Sequence, residues 1–224
     1  MVLVLASVFD KAAVAFVERF TGAAASVLTC SSLALTPTHI CYPYPDESYI
    51  TVNKQRLYLK DITGIINLLQ GIIPEEMYFF DETEYSYQAQ EFTALISFLC
   101  SIIPGPMVNK PLPHSLSGLM NALCWQHIAA TLNIRQVVYN KQDNLYDSKT
   151  KNMITCYYLN KQIFGDNLNP LVQENTRRLA MFSGQSFLEA NYTLQSDFLF
   201  ATTLPDIGNE KVSSILCEHF NAKI

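Results

Sequence analysis

Apolar residues open the chain in a short run, Val2-Leu3-Val4-Leu5, that gives way to polar residues at Asp10. Val14, Val17 and Phe20 then recur at a spacing of three, which marks one face of a helix, and Gly22 stands just past them. Ser26-Val27-Leu28 reads as a second strand, so the opening predicts a β-α-β unit with a crossover helix. Residues 39–59 break this rhythm with Tyr42, Pro43, Tyr44, Pro45 and Tyr49, followed by two short strands flanking Asn53-Lys54 in the pattern of a hairpin. Asp81 followed by Glu84 resembles a capping box and heads a helix with the apolar stripe Phe92, Leu95, Ile96 and Leu99. Pro104-Gly105-Pro106 stops that helix, and a domain boundary is expected near Pro111.

In the second half, Leu116, Leu119, Met120, Leu123, Ile128 and Leu132 outline a helix, Arg135 to Tyr139 a strand, and the polar residues 140–152 a loop. Ile154 to Phe164 reads as a hairpin turning at Asn160-Lys161. Asn169-Pro170 starts another helix, with a capping Asn, Pro at the first helical position and Gln173 at the third; Gly184 ends it. Strands over 186–193 and 197–203 precede a last amphipathic helix through Val212, Ile215, Leu216 and Phe220. The expected organisation is therefore two domains, 1–111 and 112–224, of α/β class.

With 49% hydrophobic and 16% charged residues, the chain has the means to bury a core. Its net charge of −5, without any Lys/Arg stripe, argues against nucleic acid as a partner. The apolar start lacks a basic leader and is cut at Asp10-Lys11, so it is expected to be a strand, not a signal peptide. The stretch Ala23 to Leu35 is interrupted by Ser, Thr and Cys and is too short to cross a bilayer, so no membrane association is expected. Six cysteines with no C-x-x-C pair suggest reduced thiols and a cytoplasmic protein.

The glycine-rich phosphate-binding motifs are missing, as is G-x-S-x-G, which speaks against a P-loop, a Rossmann site and a hydrolase elbow. His39-x-Cys41 and Cys217-x-His219 are single Cys/His pairs that lack a second pair nearby, so no metal site is assigned. Glu75, Glu76, Asp81, Glu82 and Glu84 surround a helix start, where carboxylates favour the positive end of the dipole. Tyr42, Tyr44, Tyr49, Tyr58 and Tyr78 are open to two readings, half-buried packing or a peptide-binding surface.

Val108-Asn109-Lys110-Pro111, followed by Met120-Asn121-Ala122-Leu123-Cys124-Trp125-Gln126-His127-Ile128-Ala129-Ala130-Thr131-Leu132-Asn133-Ile134, resembles the junction of peptide-maturing ATP-grasp ligases. That family, which makes graspetides such as microviridins, has a W-V-N-P-P strand end and then a helix of the form E-N-K-x-x-Q-L-x-x-A-x-x-L-G-L. The segment from Ile154 through Gly165-Asp166 is similar to its D-x-R-V-x-V-V-G-D hairpin, and Arg178 to Pro205 follows its closing helix and strands. The resemblance implies an N-terminal β-α-β, pre-ATP-grasp-like domain and a shortened, ATP-grasp-like α+β domain without the lid.

It also implies which residues matter. The family's phosphate-contacting Lys falls on Ala122, its strand Asp on Asn191, and its metal-binding E-x-N on Thr202 and Leu204. About sixty residues of the family pattern, the lid among them, are compressed into the loop before Ile154. The expectation is a non-catalytic accessory protein of a peptide-modification (RiPP) pathway, with no catalytic residues, no cofactor and no metal. Its expected partner is a peptide or a full-length ATP-grasp enzyme, in a homo- or hetero-oligomer. Tyr157, Tyr158, Phe164, Phe198 and Phe200 are the expected contact surface, unless the shortened domain recloses over them. The alternative is a minimal ATP-dependent carboxylate–amine or carboxylate–hydroxyl ligase with an unrecognised nucleotide site.

Overall fold

The computed structural model describes residues 1–20, 25–41, 45–112, 115–137, 153–166 and 168–221. The chain forms two compact units, Met1–Gly118 with Asp206–Ile224, and Leu119–Pro205.

The first unit contains β1 (Val2–Leu5), α1 (Lys11–Arg19), β2 (Ala25–Leu28), α2 (Cys30–Leu35), β3 (Tyr49–Val52), β4 (Gln55–Tyr58), β5 (Gly64–Asn67), α3 (Tyr85–Ile102) and β6 (Met107–Val108). Its main sheet runs β2-β1-β5-β6, and every pairing is parallel. Strand β1 lies inside the sheet and is buried throughout, which is why it reads as continuous apolar sequence instead of an alternation. The expected β-α-β opening is present, but α1 buries Ala13, Phe16 and Phe20 while Val14 is half exposed. The positions 13, 16 and 20 follow the 3.6-residue period more closely than a strict spacing of three. In α3 the expected stripe is correct: Phe92, Ile96 and Leu99 enter one core with Leu3, Leu5 and Ile65, and Leu95 packs against it. Asp81 caps a short 3-10 turn ahead of α3, its carboxylate accepting from the Thr83 N–H at 2.9 Å.

Strands β3 and β4 form the expected hairpin, with Asn53 and Lys54 at φ 51° and 64°. A two-residue turn needs positive φ at both positions to match strand twist, and Asn supplies it at small cost. At the carboxyl ends of β5 and β6, Asn67 and Asn109 are both buried. Asn67 Nδ2 donates to Asn109 O (3.1 Å) and Leu116 O (2.6 Å), and Asn109 Nδ2 donates to Asn67 O (3.0 Å). The Asn of the Val108-Asn109 junction therefore has a structural task here: it ties two strand ends together.

The second unit contains α4 (Ala122–Thr131), β7 (Met153–Leu159), β8 (Gln162–Gly165), α5 (Pro170–Ser183), β9 (Phe187–Thr193) and β10 (Phe198–Thr202), in an antiparallel sheet ordered β10-β9-β7-β8. The β7–β8 turn holds Asn160 and Lys161 at φ 45° and 75°, as the hairpin reading requires. Helix α5 is capped by Asn169, whose Oδ1 accepts from Val172 N, and closed by Gly184 at φ 69°. Gln173 is its fourth residue, one place later than expected. Helix α4 is shorter than the apolar pattern suggested: Asn121 caps it, Leu116, Leu119 and Met120 precede it, and Leu123 is 80% exposed. Its buried face is Trp125, Ile128 and Ala129. Among the described residues Gln136 makes a parallel bridge to Phe198; residues 138–152, expected to end the strand from Arg135 and form the polar loop, lie outside the described residues.

The last helix, α6 (Glu210–Asn221), belongs to the first unit, so the expected domain 112–224 is corrected. Phe220 is 2% exposed and lies against Gly64 at the start of β5. An apolar helix face packs wherever it finds a matching surface, and sequence order does not choose that surface. Among the described residues, no helix is long and apolar enough to cross a membrane.

Candidate functional site

Strand alternation and register build one face of the antiparallel sheet. Asn191 on β9 lies opposite Thr155 on β7 and Phe200 on β10; Glu189 lies opposite Tyr157 and Thr202; Tyr157 lies opposite Phe164 on β8. Residues directly opposite share a face, so these seven side chains form two rows on one surface. The other face is core: Cys156, Tyr158, Leu188, Ala190, Tyr192 and Phe198 pack with α4 and α5 residues. There the Tyr192 hydroxyl and Thr176 Oγ1 are 2.9 Å apart, and burial pushes the phenol's pKa well up.

The first face carries a short polar chain. Thr155 Oγ1 donates to Asn191 Oδ1 at 2.8 Å, and Asn191 Nδ2 donates to Glu189 Oε1 at 3.2 Å. Asn191 is 2% exposed, so its carboxamide is spent on its two neighbours. Thr202 accepts from the Leu204 N–H at 3.1 Å, which turns the chain after β10. Two of the four positions singled out by the resemblance, Asn191 and Thr202, thus share this face. Leu204 follows it, and Ala122 stands exposed at the first turn of α4. Sequence reading missed Glu189 and Thr155. Alternation alone would have found Glu189, two residues before Asn191 on the same strand.

The expected aromatic contact surface is corrected. Tyr158 and Phe198 face the core at 5% and 0% exposure, and Tyr157 is 8% exposed on the other face. Only Phe164 and Phe200 remain half-buried. Neighbours in a strand point to opposite sides, so Tyr157 and Tyr158 could never have joined one surface.

Among its described residues the second unit carries the cations Arg135, Lys161, Arg177 and Arg178. Arg135 pairs with Asp197 at 2.9 Å, Arg177 with Glu174 at 2.8 Å, and Arg178 donates to the Leu132 carbonyl. Elsewhere, the His39 ring stacks on Tyr49 (5.6 Å), and Tyr49 meets Tyr58 edge-on (5.9 Å) as a cross-strand pair of the hairpin. Tyr42 and Tyr44 lie outside the described residues. Cys217 and His219 sit two apart on α6, about 200° around the helix, and so diverge.

No family model matches the chain, and no curated protein matches it in sequence. Solved structures match it from end to end. The macrocyclase MdnC bound with precursor peptide MdnA, from Microcystis aeruginosa MRC, aligns over 100% of both chains with a TM-score of 0.70 and 10% identity. The Chryseobacterium gregarium RiPP-associated ATP-grasp ligase, in complex with ADP and a leader and core peptide, aligns over 100% of this chain and 97% of its own (TM-score 0.68, 10% identity). The ATP-grasp ligase PsnB, complexed with minimal precursor, Mg and ADP, aligns over 99% and 97% (TM-score 0.63, 12% identity). The chain therefore has the fold of peptide-maturing ATP-grasp ligases, as the sequence resemblance implied.

Proposed function

We propose that this chain is a non-catalytic ATP-grasp-like protein that recognises a peptide, or a catalytic homologue, in a peptide-modification pathway. The observation that carries the reading is the donor set on the sheet face. ATP-grasp chemistry needs Mg²⁺ and lysine to neutralise phosphate oxygens in the transition state. Mg²⁺ demands oxygen ligands in near-octahedral order, chiefly carboxylates and phosphates. Among the described residues this face offers one carboxylate, Glu189, a carboxamide already bonded on both sides, and the Thr155 and Thr202 hydroxyls. Leu204 supplies no side-chain donor, and Ala122 no cation. Such a set does not fit a Mg²⁺–nucleotide.

The peptide half of the reading draws on the fold: MdnC and the Chryseobacterium ligase are both seen with peptide bound. For a protein partner, the exposed large apolar side chains among the described residues of the second unit are Leu123 on α4, Leu171, Met181 and Phe182 on α5, and Leu194 after β9, in place of the buried strand aromatics.

Calorimetry with Mg²⁺-ATP tests the reading. No heat of binding and no rise in melting temperature are expected; a ligand at a hundred times its Kd would add about 2.7 kcal/mol of stability. Micromolar ATP affinity would overturn it. It would favour the second reading, a minimal carboxylate–amine or carboxylate–hydroxyl ligase, for which Glu189 is the acidic side chain that the described sheet face supplies.

A further inference from the structure

Between Lys60 and Lys110 the chain has no Lys, Arg or His, but it carries Asp61, Glu75, Glu76, Asp81, Glu82, Glu84 and Glu91. Most of these acids cluster around residues 74–84, and this segment also exposes aromatic surface. Tyr78 is 71% exposed, and its ring meets Phe79 edge-on at 5.3 Å; Phe79 in turn lies 4.7 Å from Phe80, which is packed against the core. The exposed tyrosine therefore stands on a braced base. Tyr87, 62% exposed, shares a helical face with Glu84 and Glu91 through spacings of three and four.

Glu76 joins this segment to the end of β1. Its Oε1 accepts from the Val8 N–H at 2.8 Å, and Val8 and Phe9 are 50% and 60% exposed. Glu76 itself is 0% exposed, and its Oε2 accepts from no described residue. No ion pair compensates this carboxylate among the described residues. A buried carboxyl with an unpartnered oxygen is costly, and a cation docking on the surface above it would relieve that cost. The location is also informative. Strand β1 is flanked by β2 on one side and β5 on the other, so chain connections diverge there, and ligands of open parallel sheets bind outside the carboxyl ends at such a point.

We infer that this surface, the Val8–Phe9 turn with Tyr78 and Glu75 over buried Glu76, is the docking site for a cationic peptide segment that interleaves Lys or Arg with apolar residues. The inference rests on the reading that the chain binds a peptide, and it names where and which kind. Exposed aromatics accept the apolar residues and stack on cations, while the carboxylates select positive charge and repel acidic segments.

The test uses the full chain and two labelled synthetic peptides of equal length. One alternates Lys or Arg with Leu and Phe; the other has Glu in place of every Lys and Arg. Fluorescence anisotropy is expected to show binding of the basic peptide alone, weakening as salt rises from about 0.01 M to about 1 M. Glu75→Lys with Glu82→Lys, and separately Tyr78→Ser, are each expected to weaken it about tenfold. Glu18→Lys with Glu218→Lys makes the same change in net charge. These acids flank Arg19 and Cys217, which interact with each other, away from the carboxyl ends of the strands, and binding should be unchanged. If the patch and control variants weaken binding equally, or if the acidic peptide binds as well, the inference is overturned while the peptide-binding reading stands. If neither peptide binds at any salt concentration, this inference falls, and a screen with peptides of other composition then decides the reading beneath it.

Discussion

Replacing Gly64 by Ala tests whether α6 is truly part of the first unit. A Cβ at Gly64 would lie 2.4 Å from Phe220 Cε1, 2.6 Å from Cδ1 and 3.3 Å from the Pro106 carbonyl oxygen. Ordinary contact begins at 3.4 Å, so the ring must retreat by about 1 Å. Phe220 is 2% exposed and has no solvent to swing into. Overpacking of this kind costs about 1–3 kcal/mol, and the stiffer unfolded chain returns about 0.4–1 kcal/mol. A net loss of about 0–2.6 kcal/mol is expected, with a ring held as firmly as Phe220 toward the upper end. Phe220→Leu removes the colliding ring, so Gly64→Ala in that background should cost less, with a coupling of about 1 kcal/mol. Hydrogen exchange of β1 and β5 amides reads the first unit, while Trp125, the one tryptophan, reports separately on the second by fluorescence. If Gly64→Ala were neutral, and the two substitutions added within about 0.5 kcal/mol, the placement of α6 would be refuted.

Two further outcomes follow from the same structure. Burial, with Glu76 as a second cause at Cys30, pushes the Cys30 and Cys100 thiols from 9.0 up to about 12. Unfolded thiols ionise near 9 while the folded ones stay neutral, so this contribution to stability is complete below pH 9 and is lost as pH rises toward 12. Urea midpoints should fall across that window and fall less in Cys30→Ala and Cys100→Ala, while a thiol reagent on the native protein should reach exposed Cys124 first; equal slopes in wild type and variants would contradict the burial of these thiols. Asn191→Ala should cost about 1–3 kcal/mol by removing the hydrogen bonds to Thr155 Oγ1 and Glu189 Oε1, measured by chemical denaturation of the second unit. An unchanged midpoint would mean the polar chain on the sheet face contributes nothing.

Local chemistry was legible residue by residue. The turns at Asn53-Lys54 and Asn160-Lys161 require positive φ that Asn tolerates, and Asn169-Pro170 and Gly184 are end signals that act within one helical turn. The apolar run of β1 and the stripe of α3 reported burial because periodicity and burial are the same fact seen twice. The fold resemblance was legible too, through a junction helix and a closing pair of strands. What only the tertiary structure decided is which surfaces meet and what each polar atom bonds. Phe220 could have packed on either unit, and it met Gly64. Tyr158 and Phe198 look as exposed as Phe164 in sequence, yet register sends them into the core. Glu76 read as one of several helix-start acids, and it is buried under Val8, 68 residues away in the chain. Asn191 read as a lost Asp, and it is the centre of a hydrogen-bonded chain from Thr155 to Glu189. Sequence carries the preferences of each residue over a few neighbours, whereas long-range contacts depend on the path of the whole chain.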